Sequence, residues 1–210
     1  EQSLSRLAQI LLKNKENDKA IPVLSRLENE ADVSQNKTYA QSNLMKLYYN
    51  KKDYPNSGIY AEKVLMNPKA DDNVKSDAQI IIARAAIETG DEAKAKVAYA
   101  KVLAIAKGEL AAEALYYDAY FKNKEGKFEA SNAAVQKIAK NYSSYKYFGA
   151  KGLILMAKNF YGLKDSYQAT YILENVIQNF TDYPDVVSEA KTELNAIKTE
   201  EAKTNSSITK

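Results

Sequence analysis

Five segments of the chain place a small residue, an apolar residue four positions later, and another apolar residue three after that. They are Ala20-Leu24-Leu27, Ser57-Ala61-Val64, Ala95-Tyr99-Val102, Ser131-Val135-Ile138 and Ala169-Leu173-Val176. Spacing of i, i+4, i+7 is one face of an α-helix, so each segment predicts a helix with a small residue at its point of closest packing. The small residues are 37, 38, 36 and 38 positions apart. Twelve residues before each lies a second uncharged position: Ala8, Met45, Ala83, Ala119 and Ala157. Apolar Leu7, Leu44, Ile82 and Met156 precede four of these, and Leu11, Tyr48, Ala86 and Phe160 follow three residues on. They predict a helix ahead of each of the first set. Turn residues separate the two: Asn17-Asp18, Lys52-Asp53-Tyr54, Gly90-Asp91, Gly126-Lys127-Phe128 and Lys164-Asp165. Gly, Asn and Asp accept the dihedral angles that end one helix and cap the next. The predicted unit is helix–turn–helix, repeated five times over about 1–34, 38–70, 76–108, 110–143 and 147–182.

The fourth unit fits least well. A rigid register puts Asp118 and Lys122 at core positions, where unpaired charge is costly. The turn Asn123-Lys124-Glu125-Gly126 reads as one or two residues longer than the others, and a shift by one would turn Ala114, Tyr117 and Phe121 inward. After the fifth unit, 185–202 predicts a single helix with Val186, Val187, Ala190, Leu194 and Ile197 on its apolar face and Glu189, Lys191, Glu193 and Lys198 outside. Such a helix covers the last hairpin's open core, as repeat arrays require. The polar tail 203–210 is expected to be disordered. No capping element precedes Leu4, and further repeats or an anchor are expected upstream.

The pattern resembles the tetratricopeptide repeat over roughly residues 1–180. It shares the small-x3-large motif of the second helix, small residues midway along the first, and a Gly/Asp turn followed by an aromatic (Asp53-Tyr54, Gly126-Lys127-Phe128). It departs in three ways. The period exceeds the usual ~34 residues by two to four. The large residue early in the first helix is Leu4, Gln41, Gln79, Leu115 or Leu153, never Trp. The closing proline survives only as Pro68 and Pro184. The resemblance implies an all-α fold, a right-handed superhelical array of helix-turn-helix repeats with a C-terminal capping helix. It also implies a concave face lined by the first helices. Carried over position by position, that face holds Ser5, Gln9 and Leu12; Lys46 and Tyr49; Arg84 and Ile87; and Lys151, Ile154, Lys158 and Tyr161. Taken singly, Ile87, Ile154 and Tyr161 read as packing between hairpins. The groove as a whole reads as a binding surface, with lysines for carboxylates or carbonyls and tyrosine for flat contact area.

Composition narrows the chemistry. The 210 residues include no His, Cys or Trp. That removes zinc sites built on Cys or His, Ser-His-Asp and Cys-His nucleophiles, haem-binding imidazoles and disulfides. Asp53, Asp91 and Asp165 read as turn or cap residues, Asp71-Asp72 as a loop pair, and Gly149-Ala150-Lys151-Gly152 lacks phosphate-loop spacing. No catalytic residue, metal or cofactor is expected. Charge is nearly balanced, 30 Lys+Arg against 27 Asp+Glu. Only Arg6, Arg26 and Arg84 offer guanidinium forks, so nucleic-acid binding is disfavoured. No apolar run approaches a membrane span.

Arg26, Lys63, Lys101 and Lys137 share one register on the second helices. Glu62 and Glu174 interrupt it, and it reads as a solvated face, with an acidic partner or anionic lipid headgroups as the alternative. Tyr142, Tyr145, Tyr147 and Phe148 cluster between units four and five and read as a staple for that turn, with an anchor for a partner as the alternative. The expected function is a non-catalytic scaffold, monomeric or weakly dimeric, that binds a peptide or protein. Abundant Lys and Asn with little Arg resembles bacterial repeat proteins of the cell envelope, Bacteroidetes-type in particular. A periplasmic or envelope location follows from that resemblance, with the cytoplasm left open. Two rivals are an accessory domain of a larger enzyme and a module that self-assembles through Leu7 and Leu11.

Overall fold

A computed structural model describes the backbone of residues 1–208 and the side chains of residues 1–203. Eleven α-helices and no strand occur among the described residues. They form five hairpins and one further helix: α1 (Gln2–Lys13) with α2 (Asn17–Glu30), α3 (Ser34–Asn50) with α4 (Tyr54–Met66), α5 (Asp72–Glu88) with α6 (Glu92–Ile105), α7 (Gly108–Lys124) with α8 (Phe128–Asn141), α9 (Lys146–Gly162) with α10 (Ser166–Asn179), then α11 (Pro184–Ile208). No described helix is long and apolar enough to cross a membrane. The chain divides into two compact units, Glu1–Ala106 and Lys107–Lys210.

Packing follows the repeat register. All ten repeat positions, Ala8, Ala20, Met45, Ser57, Ala83, Ala95, Ala119, Ser131, Ala157 and Ala169, are completely buried. Where the second-helix residue is serine, its hydroxyl donates to the backbone carbonyl twelve positions earlier. Ser57 Oγ reaches Met45 O at 2.9 Å and Ser131 Oγ reaches Ala119 O at 2.8 Å. Small residues at these points let the two helices of a hairpin approach closely. Only a small polar group could enter there, and it must then bond to backbone.

Each hairpin turn has the same three-residue geometry. One residue takes a left-handed conformation: Lys15, Lys52, Gly90, Gly126 and Lys164, with φ of 60°, 60°, 74°, 71° and 69°. Its N–H donates to the carbonyl three residues back and the next N–H to the carbonyl five back, as in Lys52 to Tyr49 and Asp53 to Tyr48. This closure satisfies the last carbonyls of the first helix. Asp53, Asp91 and Asp165 then cap the second helices, accepting from the N–H groups of Asn56, Lys94 and Gln168.

Four sequence expectations change. The first turn is Asn14-Lys15-Glu16 rather than Asn17-Asp18, which already lie in α2. The fourth hairpin keeps the common register and turn length. Asp118 and Lys122 are half-buried and pair with each other at 2.6 Å, so no shift is needed to remove their charge from the core. Ala119 is fully buried, as are Ala114 and Phe121 to within a few per cent, while Tyr117 is half-buried. Helix α11 continues to Ile208, past the Ala202 boundary and through most of the expected tail, whose residues 209–210 lie outside the described residues. Leu7, read from the sequence as a core position of α1, is 44% exposed.

Within the first unit, Ala8, Leu24, Leu27 and Leu44 form one core cluster and Met45, Ala61, Val64 and Ile81 another. Glu28 is buried there on α2, and its carboxylate accepts from Gln41 Nε2 at 3.1 Å and from Lys63 Nζ at 2.7 Å. In the second unit, Ile154, Leu173, Val176, Val186 and Ala190 build the main cluster. Its polar counterpart is Asn159, fully buried. The Asn159 amide donates to Ser131 Oγ at 2.9 Å and Asn132 Oδ1 at 2.7 Å, and its carbonyl accepts from Asn123 at 2.7 Å. Every polar group of that side chain is used, and it ties α7, α8 and α9 together.

Candidate partner-binding surfaces

In the first unit, Lys46 on α3 pairs with Asp77 on α5 at 2.5 Å. Tyr49 packs its ring 5.7 Å from that of Tyr54, whose hydroxyl lies 3.4 Å from Glu88. Arg84 and Ile87 are half-buried on α5, Ser5 and Leu12 are half-buried on α1, and Gln9 is exposed. The first helices therefore present a mixed surface in which Lys46 is already held by a carboxylate.

The second unit differs more from the sequence reading. Ile154 is 1% exposed and belongs to the core, packed in one cluster with Leu173 and Val176 of α10 and Val186 and Ala190 of α11. Lys151 pairs with Glu189, and Lys158 lies 2.9 Å from Glu193 and 3.7 Å from Glu189. The two glutamates read as outward-facing in the sequence instead neutralise the two lysines. Tyr161 is half-buried against the core. The cationic part of the expected groove is thus used up in joining α9 to α11.

An aromatic surface takes its place. On α7, Tyr116 and Tyr117 lie 5.1 Å apart, Tyr117 and Tyr120 6.1 Å, and Tyr120 and Phe121 5.3 Å. Phe148 of α9 lies 6.3 Å from Tyr116 and 5.3 Å from Tyr147, whose ring meets Tyr183 at 5.7 Å. Most of these contacts are edge-on or tilted, the arrangement favoured by aromatic quadrupoles. Lys151 stands 5.8 Å from the Tyr116 ring centre and Lys124 5.6 Å from that of Tyr120. Burial pushes the Tyr116 phenol far above its ordinary pKa, with the Glu189 carboxylate the next contributor. Tyr147 is pushed up to about 12, first by burial and then by the hydrogen bond it donates to Asp185 at 2.9 Å.

Tyr116 and Tyr120 occupy, relative to Ala119, the positions that Ile154 and Lys158 hold relative to Ala157. A constant register names them; the suspected shift in the fourth unit hid them. Tyr147 and Phe148 join this surface, while Tyr142 and Tyr145 pair with each other at 6.5 Å. On the second helices, Arg26 pairs with Glu30 and Lys63 with Glu28, while Lys101 and Lys137 are exposed. No protein-family model matches the chain, and no curated protein matches it as a relative.

Proposed function

We propose that this chain is a non-catalytic interaction scaffold of tetratricopeptide type, which binds a peptide or protein partner on first-helix surfaces within its units, that of α7 and α9 above all. The observation that supports this reading is the aromatic surface of α7 and α9. Rigid tyrosine rings bury large area for little lost rotamer entropy, and their hydroxyls tolerate both water and a partner. The balanced ion pairs beside it disfavour a purely electrostatic ligand. The bacterial periplasm or cell envelope is the compartment we infer, from the resemblance in Lys and Asn abundance to bacterial envelope repeat proteins, with the cytoplasm as the alternative; cell fractionation tests it. A second reading, an oligomerisation or accessory module of a larger protein, draws on the exposure of Leu7 and Ile10 on α1.

In-cell photo-crosslinking tests the first reading. A photoreactive phenylalanine replaces Tyr120 or Arg84 on the first helices, with Lys137 or Lys101 on the second helices as comparison. A discrete adduct from the first pair, identified by mass spectrometry, is the expected result. Adducts only from Lys137 or Lys101 would move recognition to the other face and overturn it.

A further inference from the structure

The second unit carries a cavity that the aromatic surface does not use. It has a volume of about 430 Å³ and opens between α8, the start of α9 and the end of α10. Its walls are apolar: Val135, Ile138, Leu153, Met156 and Phe180. Gly149 lies in the lining, and a Cβ added there would meet no atom within 4 Å, so a larger residue at this lining position has room to occupy the slot. Lys146 is the one charged residue of the lining.

Along α8 and the start of α9 the charge beside this slot is one-sided, while on the α10 side Asp182 follows two residues after Phe180. Residues 135–156 include Lys137, Lys140, Lys146 and Lys151 and no Asp or Glu. Lys151 is held by Glu189, but Lys137, Lys140 and Lys146 are exposed and form no ion pair among the described residues. At the rim, the side chains of Gln136 and Ser143 are exposed and make no hydrogen bond among the described residues. Apolar walls reward a bulky apolar group. The unpaired lysines reward an anion beside it. The amide and hydroxyl match a peptide main chain and offer nothing to an acyl chain.

We propose that this slot is a second docking site, which takes a bulky apolar side chain from a segment of a partner protein with a carboxylate side chain next to it, the carboxylate meeting Lys146. The volume suits one or two large side chains. The lining shares no residue with the aromatic face, although Val135 and Met156 pack in one cluster with Tyr116 and Tyr120, and the proposal does not rest on the reading above.

The three methionines supply the test. Selective 13C-methyl labelling of the full chain gives signals from Met156 in the slot, Met66, which is 78% exposed, and Met45, which is fully buried. The probe is a pool of acetylated, amidated hexapeptides carrying Leu, Ile, Phe or Met beside Asp, with the matching Asn peptides and sodium decanoate as alternatives. The Asp peptides are expected to move the Met156 signal alone, saturating with a dissociation constant below about 1 mM. The Asn peptides should bind about threefold to fivefold more weakly, the scale of one exposed ion pair. Gly149→Leu fills the slot and favours the helix, so it should abolish the shift in a protein that remains folded; Lys146→Glu should weaken binding at least fivefold. No Met156 shift across the pool overturns the proposal, as does unchanged binding to Gly149→Leu or equal binding of Asn and Asp peptides. Decanoate binding more tightly than every Asp peptide would make the slot an acyl site instead.

Discussion

At the scale of single residues, the turn position decides more than its composition suggests. Gly90 and Gly126 are natural occupants of a left-handed conformation, but Lys15, Lys52 and Lys164 hold it too. A side chain in that region costs on the order of 1 kcal/mol. Lys52→Gly is therefore expected to raise the free energy of unfolding by about 0.5–1 kcal/mol, and Gly90→Ala to lower it by about 1 kcal/mol. A Cβ at Gly90 meets nothing within 4 Å, so the second figure isolates the backbone. Urea unfolding followed by circular dichroism reads both, and a fall in stability for Lys52→Gly would contradict the account. Buried Asn159 is the opposite case, a side chain whose environment no local rule reveals. Asn159→Ala removes the hydrogen bonds to Ser131, Asn132 and Asn123, of which Ser131 keeps its bond to Ala119 O, and should cost about 2–3 kcal/mol, whereas Ser131→Ala should cost about 1 kcal/mol. In the sequence Asn159 is one asparagine among many in a helix, because its partners lie 27, 28 and 36 residues away.

At the scale of helices, the small-residue register made the hairpins legible, because periodic burial is a local pattern written into every repeat. Which charges meet across neighbouring helices was not legible. Glu189 and Glu193 look like solvent-facing residues of α11 until α9 is set beside them with Lys151 and Lys158. The Asp118–Lys122 pair shows the same limit within one helix, since charge at an edge position mimics a register error. Tyr147 joins this seam through Asp185, and it makes the seam sensitive to alkali. Its phenol is pushed up to about 12 in the fold, against about 10 when unfolded. The folded state thus holds this proton more tightly. The associated stability is fully present below about pH 10 and is lost as pH climbs through the folded value near 12. Ring signals from 13C-labelled tyrosine should show Tyr147 ionising near pH 12. Asp185→Asn should lower that value only in part, because burial is the larger cause. Thermal unfolding midpoints should fall less steeply above pH 10 in Tyr147→Phe than in the parent chain; identical slopes would count against the assignment.

At the scale of the whole molecule, the question is whether exposed apolar side chains build an assembly. Leu7 at 44% and Ile10 at 56% exposure share the outer side of α1, flanked by exposed Arg6 and Gln9. Leu11, proposed from the sequence as a second contact, is instead half-buried against the core of the first unit. Stable interfaces bury about 1,200–2,000 Å² in total, far more than two aliphatic side chains contribute. Isolated surface leucines and isoleucines are common on monomeric proteins and imply nothing by themselves. The chain is therefore expected to behave as a monomer, or at most a weak dimer, at tens of micromolar, with light scattering giving a mass near 23.4 kDa. Leu7→Asp, at a position 44% exposed, should leave the mass unchanged and lower the unfolding midpoint far less than the same change at Leu11. Leu11→Asp should lower the free energy of unfolding by about 2 kcal/mol or more, and the midpoint with it, by placing a charge at a packed position, again without altering the mass of the folded fraction. A tight dimer dissolved by Leu7→Asp would reverse the order of the two readings. Self-association through α1 would then be the primary activity, and the tyrosine surface of α7 and α9 would be left as packing within its own unit.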